Sequence, residues 1–183
     1  MKVVVTGAAG QLGQDVLLEL ERQNHQGFGA DRQKLDITIE EDVIAYINEV
    51  KPDVILHCAA YTNVDAAEEN EDVAYQINAI GTENLAKAAK QTGAKMLCVS
   101  TDYVFDGTAT EPYEVDEPTK PLGAYGRTKL AGEQLLQQHL DEFFIVRTAW
   151  VFGIYGNNFV KTMIRLGKER GEVGVVHDQV GSP

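Results

Sequence analysis

A doubly wound parallel α/β sheet is the fold this sequence predicts, and three observations predict it. Short apolar runs alternate with amphipathic helical patterns along all 183 residues. The clearest of these runs are apolar at nearly every position, as strands covered on both faces are. A glycine-rich turn joins the first run to the first helix. A chain of this length can bury a core as one domain and is short for two. Sixteen Lys and Arg stand against 28 Asp and Glu, a net charge of −12, which argues against holding nucleic acid or anionic membranes by bulk charge. An anionic ligand must therefore find a local positive site. No run approaches the roughly 18 apolar residues of a membrane span. Val3-Val4-Val5 is cut off at Thr6-Gly7, so no signal peptide is visible and the expected compartment is the cytoplasm. Cys58 and Cys98 lie in strand-like runs without CxxC spacing, the setting of buried reduced thiols.

The elements follow in order. Lys2 to Thr6 reads as a strand, about Leu12 to Gln23 as a helix, and a second short strand ends near Asp31, completing a βαβ unit. Thr38 and Glu41 have capping-box spacing and open a helix to about Val50. Pro52-Asp53 ends it before the strand Val54 to Ala59. A long helical pattern from about Asp72 to Gln91 stops at Gly93, and the strand Lys95 to Ser100 follows. Residues 106 to 123, with Pro112, Pro118, Pro121, Gly107 and Gly123, read as a surface loop. Beyond it come a helix from about Tyr125 to His139, a strand Phe143 to Thr148, a helix from about Asn158 to Lys168 and a last short strand Gly174 to His177. Six strands alternating with helices give a parallel sheet with helices on both faces.

Gly7-Ala8-Ala9-Gly10-Gln11-Leu12-Gly13 lies between strand and helix, where free backbone N–H groups and the helix dipole suit a pyrophosphate. Its spacing is GxxGxxG, and a glycine triplet alone also serves turns and helix contacts; the strand before and helix after favour a ligand and a Rossmann-like sheet. Asp31 ends the second strand, where a carboxylate can accept hydrogen bonds from the adenosine ribose of NAD, while Arg32 beside it can pair with a 2′-phosphate. Two solvated turn residues are the plain alternative, and NADPH or NADH stays open. Asp36 can accept from an adenine amino group or serve an ordinary turn.

Tyr125 and Lys129 are four apart at the start of a helix, so both side chains fall on one face. A phenol titrates near pH 10, and a neighbouring ammonium brings its phenolate closer to neutrality. Such a tyrosine can protonate a carbonyl oxygen as hydride reaches the carbon. Tyr-x-x-x-Lys is common by chance, and a surface pair would be the default; the glycine turn upstream and Ser100-Thr101-Asp102-Tyr103 at the carboxyl end of a strand change that reading. Thr101 or Ser100 could hold the same carbonyl oxygen, or simply bond to a turn. His57 and His139 lack ligand spacing, read as structural, and no metal site is expected.

With these residues in place, the chain resembles the extended short-chain dehydrogenase/reductases, and among them the dTDP-4-dehydrorhamnose reductases. The stretches that carry the likeness are Leu35 to Thr38, Pro52 to Glu68, Ser100 to Gly107, Tyr125 to Glu133, Arg147 to Gly153, Gly156 to Met163 and Asp178 to Pro183. The resemblance implies Tyr125 as proton donor, Lys129 as the group that lowers its pKa and holds the nicotinamide ribose, and Thr101 as the third catalytic member. It implies NADPH or NADH on Gly7, Gly10, Gln11, Leu12 and Gly13 at the pyrophosphate, Asp31 and Arg32 at the adenosine ribose, and Asp36 with Ile37 at the adenine. Ala60, Tyr61 and Thr62 would line the nicotinamide side. Val64, Asp102, Tyr103 and Trp150, with Thr101 and Tyr125, would face a dTDP-sugar whose 4-keto group is reduced. Lys161 or Arg165 are candidates by position for the substrate diphosphate. Residues 1–150 would be the NAD(P)-binding domain and 151–183 the last strand–helix unit and start of a substrate-binding region, incomplete here because such proteins continue for on the order of 100 residues, about a small domain. A homodimer stays open.

Two rivals share the fold. Dehydratases of the kind this chain resembles follow the threonine with Asp-Glu, whereas Asp102 is followed here by Tyr103, and related epimerases keep the same Tyr-Lys pair. A non-catalytic NADP-binding regulatory subunit need not keep a full proton-transfer set, and Thr101, Tyr125 and Lys129 are all present. The reductase is therefore the preferred reading.

Overall fold

The computed structural model describes residues 1–181, so the Ser182-Pro183 end of the last motif lies outside the described residues. Five strands, β1 (Lys2–Thr6), β2 (Gln26–Ala30), β3 (Val54–His57), β4 (Lys95–Thr101) and β5 (Phe143–Thr148), form one parallel sheet in the order β2-β1-β3-β4-β5. The order reverses between β1 and β3, and such a switch point opens a crevice beyond the carboxyl ends of the strands.

Side-chain alternation sorts the sheet's two faces. On one, Val4, Ile55, Met96 and Cys98 pack with Val43 and Ile47 of α2 (Glu40–Val50), Leu85 of α5 (Gly81–Thr92) and Leu136 of α6 (Ala124–His139). On the other, α1 (Gln11–Arg22) lies so close that a Cβ on Gly27 of β2 would come within 2.9 Å of Leu17. Two short helices, α3 (Val64–Glu69) and α4 (Glu71–Tyr75), precede a π-turn at Gln76–Ile80 that runs directly into α5. Helix α7 (Phe159–Arg170) follows β5 and contributes no buried residue.

Several expectations need correction. Gly174 to His177 is not a strand: it has no ladder to pair with, and Val175 and Val176 stay exposed. The Thr38–Glu41 capping box does not form, because the Thr38 hydroxyl donates to Asp36 Oδ1 at 2.7 Å and Ile39 becomes the N-cap. The helical pattern from Asp72 to Gln91 is one continuous run only by virtue of its π-turn. Asn63, whose side chain accepts from the Ala66 N–H at 3.1 Å, caps α3, a helix the pattern did not predict.

Candidate active site

A cleft of about 1200 Å³ opens at the switch point. Its first wall is the turn after β1. Gly7 sits at φ +66°, and a Cβ there would lie 2.8 Å from the backbone of Ala59, so both conformation and the approach of the segment just after β3 require glycine. A Cβ on Gly13 would stand 2.3 Å from the Gly7 carbonyl oxygen, which lets α1 start directly on the turn. Gly10 is the N-cap of α1 and supplies no side-chain cap, while Gln11, Leu12 and Gly13 line the cleft. Uncapped N–H groups at a helix start are a cradle for a pyrophosphate, and the cleft has room for a dinucleotide beside them.

Asp31, Arg32, Asp36 and Ile37 line one end of the cleft. Asp31 Oδ1 accepts the N–H groups of Gln33 and Lys34, both at 3.1 Å. Asp36 Oδ1 is engaged by Thr38, and the hydroxyl bond followed by the backbone bond from that residue holds its carboxyl below the ordinary range. The turn role weighed for Asp36 is thus present in the fold.

Ala60, Tyr61, Thr62 and Val64 form the middle wall. Tyr61 is held at both its N–H and its carbonyl by Asn78 of the π-turn, which the sequence reading did not single out. Its Oδ1 accepts the Tyr61 N–H at 2.8 Å, and its Nδ2 donates to the Tyr61 carbonyl at 3.2 Å and to Thr128 Oγ1 at 3.1 Å. An Asn buried within a helical run is a poor helix former with polar groups to satisfy, and that was the available signal. His57 ties the same turn to the sheet. The Thr82 hydroxyl donates to the Asn78 carbonyl at 2.7 Å, so at 3.0 Å it accepts from His57 Nε2–H. Nδ1 therefore accepts from the Thr6 hydroxyl at 2.7 Å, and Thr6 Oγ1 accepts the Ala59 N–H at 3.3 Å. Burial, and secondarily the Lys129 charge, push this imidazole down to about 3. Burial likewise raises the Cys58 thiol to about 11, and both cysteines are free.

The end of β4 and the start of α6 form the far wall, with Thr101, Asp102, Tyr103 and Tyr125 on the cleft. The Tyr103 and Tyr125 rings meet edge to face at 5.5 Å between centroids. Burial raises the Tyr125 phenol above its usual value, with the Thr101 hydroxyl pulling the other way and Asp102 adding to the rise. Lys129 departs from expectation. It is 4% exposed, does not line the cleft, and donates from Nζ to the Val99 carbonyl at 2.8 Å, beneath the floor. It is not among the groups that shift Tyr125. Below it, Glu133, 2% exposed, accepts from Arg147 at 2.7 and 3.1 Å and from the Ser100 hydroxyl, an ionic support for the β4 end that motif reading did not assign.

Trp150 lines the cleft mouth, half exposed, at φ +53°. Lys161 and Arg165 are exposed and line no part of the cleft: Lys161 Nζ donates to the carbonyls of Ile154 and Gly156, and Arg165 pairs with Glu169 at 2.9 Å. Among the described residues no three His, Cys, Asp or Glu side chains converge as a metal site, and no helix is long and apolar enough to cross a membrane.

A switch-point cleft with a glycine turn on one side and a Thr–Tyr pair on the other defines the extended short-chain dehydrogenase/reductase class. Within it, the chain belongs to the RmlD substrate binding domain family, whose model matches residues 1–183. It is 44% identical to a dTDP-4-dehydrorhamnose reductase of Aggregatibacter actinomycetemcomitans over the whole chain, which is 62% of that protein. Among solved structures it resembles a dTDP-4-dehydrorhamnose reductase of Clostridium acetobutylicum at TM-score 0.97 and 51% identity, covering all of this chain and 65% of that one. The enzyme of that name from Bacillus anthracis, in complex with NADP, superposes at TM-score 0.97 with 50% identity, again over the full chain and 65% of the other. The chain thus spans a little under two thirds of the length of these relatives.

Proposed function

We propose that this chain carries the dinucleotide-binding half of a reductase that takes NADPH or NADH and converts the 4-keto group of dTDP-4-dehydrorhamnose to the hydroxyl of dTDP-L-rhamnose. In this reading residues 1–150 are the dinucleotide domain and 151–183 begin the sugar-binding region. The observation that carries it is the placement of Thr101 and Tyr125 together on the cleft, across from the uncapped start of α1. The names of relatives at 44 to 51% identity support the same substrate.

When bound, the nicotinamide supplies the hydride. The chain's own work is to hold the carbonyl and deliver a proton to its oxygen. Tyr125 does this from Oη, where a phenol carries its proton at neutral pH without any shift. Thr101 Oγ1 already accepts the Tyr103 N–H at 3.2 Å and donates to Asp102 Oδ1 at 3.0 Å, which fixes its rotamer beside the phenol. The backbone N–H groups of Gln11, Leu12 and Gly13 take the pyrophosphate, offsetting the acidic balance of the chain with a local positive end. Asp31 keeps Oδ2 for the ribose, with Arg32 beside it for a 2′-phosphate. Lys129, anchored on Val99, supplies positive potential beneath the site.

The test is NADPH oxidation by the full-length protein supplied with dTDP-4-dehydrorhamnose, beside a sugar nucleotide that an epimerase would take. Turnover of the first alone supports the proposal. Binding of NADPH without oxidation by either sugar would favour a non-catalytic binding subunit instead.

A further inference from the structure

The stretch between β5 and α7 takes no part in the proton transfer above, yet it is tied to the cofactor turn by its own set of bonds. Gln11 Nε2 donates to the Val151 carbonyl at 3.0 Å, and Gln11 Oε1 accepts from Asn158 Nδ2 at 2.8 Å. The same Asn158 amide donates to the Gly153 carbonyl at 2.9 Å, while its Oδ1 caps α7 through the Lys161 N–H at 3.0 Å. Lys161 Nζ closes the loop from the other side on Ile154 and Gly156, at 2.6 and 2.9 Å. Trp150 and Gly156, near the two ends, both adopt left-handed backbone, at φ +53° and +61°. For a tryptophan that conformation is strained and is held only by its surroundings. A Cβ on Gly156 would approach Gln11 Cβ to 3.1 Å, so the loop lies directly on α1.

Gln11 therefore faces two ways: its backbone opens the pyrophosphate cradle, and its side chain holds residues 150–158. Trp150, Val151, Gly156 and Asn157 of this strap line the same cleft. From this we infer that Gln11 and Asn158 are positioning residues, a latch that fixes the strap across the pyrophosphate end and sets Trp150 against the sugar, so that dinucleotide retention and sugar affinity rise and fall together. The inference rests on the reductase reading for its sugar arm and not for its dinucleotide arm.

Two variants of the full-length protein test it. Gln11→Leu removes donor and acceptor from the latch while keeping the backbone amide. Asn158→Asp keeps the cap on α7 and loses the amide donor to Gln11. The readouts are the rate of NADPH release in stopped flow and the split between KM and kcat for dTDP-4-dehydrorhamnose. In each variant release should speed up by roughly tenfold, the scale of one or two lost hydrogen bonds. KM should rise in parallel by about the same factor and by more than kcat falls. Release and KM that stay at wild-type values, or a fall in thermal midpoint alone, would overturn the latch. If Gln11→Leu does not fold, Asn158→Asp decides by itself. A wild type that binds NADPH but turns over no sugar sinks the reductase reading and leaves the latch to be judged on release alone; a wild type that does not bind NADPH sinks both.

Discussion

Val4, Ile55 and Leu85 are fully sealed between the sheet and helices α2, α5 and α6, whereas α7 buries nothing and leaves Phe159 and Ile164 more than half exposed. In the part up to β5, His57, Asn78, Thr82, Ser100 and Glu133 are all buried and all partnered, and Tyr46 Oη is the one buried side-chain polar atom without a partner among the described residues. The part after β5 holds to the rest through a few hydrogen bonds between polar side chains and loop carbonyls. A wall built on a packed core stays rigid without a ligand, while one held by hydrogen bonds at a half-exposed edge can be released at modest cost. The nucleotide side of the cleft belongs to the first kind and the strap to the second.

The comparison can be broken most severely inside the packed part. Replacing Glu133 by Ala strands the Arg147 guanidinium and the Ser100 hydroxyl, and should cost on the order of 3–5 kcal/mol in urea unfolding. A loss under about 1 kcal/mol would mean that the network supports nothing. Gly7→Ala should come next: a left-handed alanine costs roughly 1–2 kcal/mol before any overlap with Ala59 is counted, and NADPH affinity measured by fluorescence should drop with stability. Third is pH. The His57 imidazole titrates at about 3 in the fold against an unfolded value of 6.5. The unfolded chain therefore binds a proton first as pH falls, and stability complete above the unfolded value is lost progressively below it. Between pH 7 and pH 5 this one group should remove about 2 kcal/mol. In His57→Gln the loss over that window should shrink by that amount. Smallest is the exposed Lys95–Glu142 pair at 2.7 Å, where Lys95→Ala should leave the urea midpoint indistinguishable from wild type.

Much of the packed part was legible because its signals are local. Apolar runs gave β1, β3, β4 and β5, and the glycine turn put α1's start on the switch point where the structure has it. The site residues named from the motifs line one cleft, Lys129, Lys161 and Arg165 excepted. What the residues did not disclose depends on which of several competing partners, near or far along the chain, takes each polar group. The Thr38 hydroxyl was claimed by Asp36 before it could cap a helix, Gly174 to His177 had no neighbour to make it a strand, and Lys129 turned to the Val99 carbonyl. The Asn78 clamp and the Glu133–Arg147 pair join positions 17 and 14 residues apart, and the Gln11–Asn158 bond spans 147. No local periodicity encodes such distances.

The central claim is that Tyr125 protonates the substrate carbonyl from within a cleft whose dinucleotide walls stand without it. Its most direct test is steady-state NADPH oxidation by full-length Tyr125→Phe with dTDP-4-dehydrorhamnose, measured together with NADPH affinity. The phenol's removal should lower kcat by about 10²- to 10⁴-fold, the usual worth of a positioned acid, with the dinucleotide still bound. Turnover within a few-fold of wild type would contradict the claim and require another proton donor.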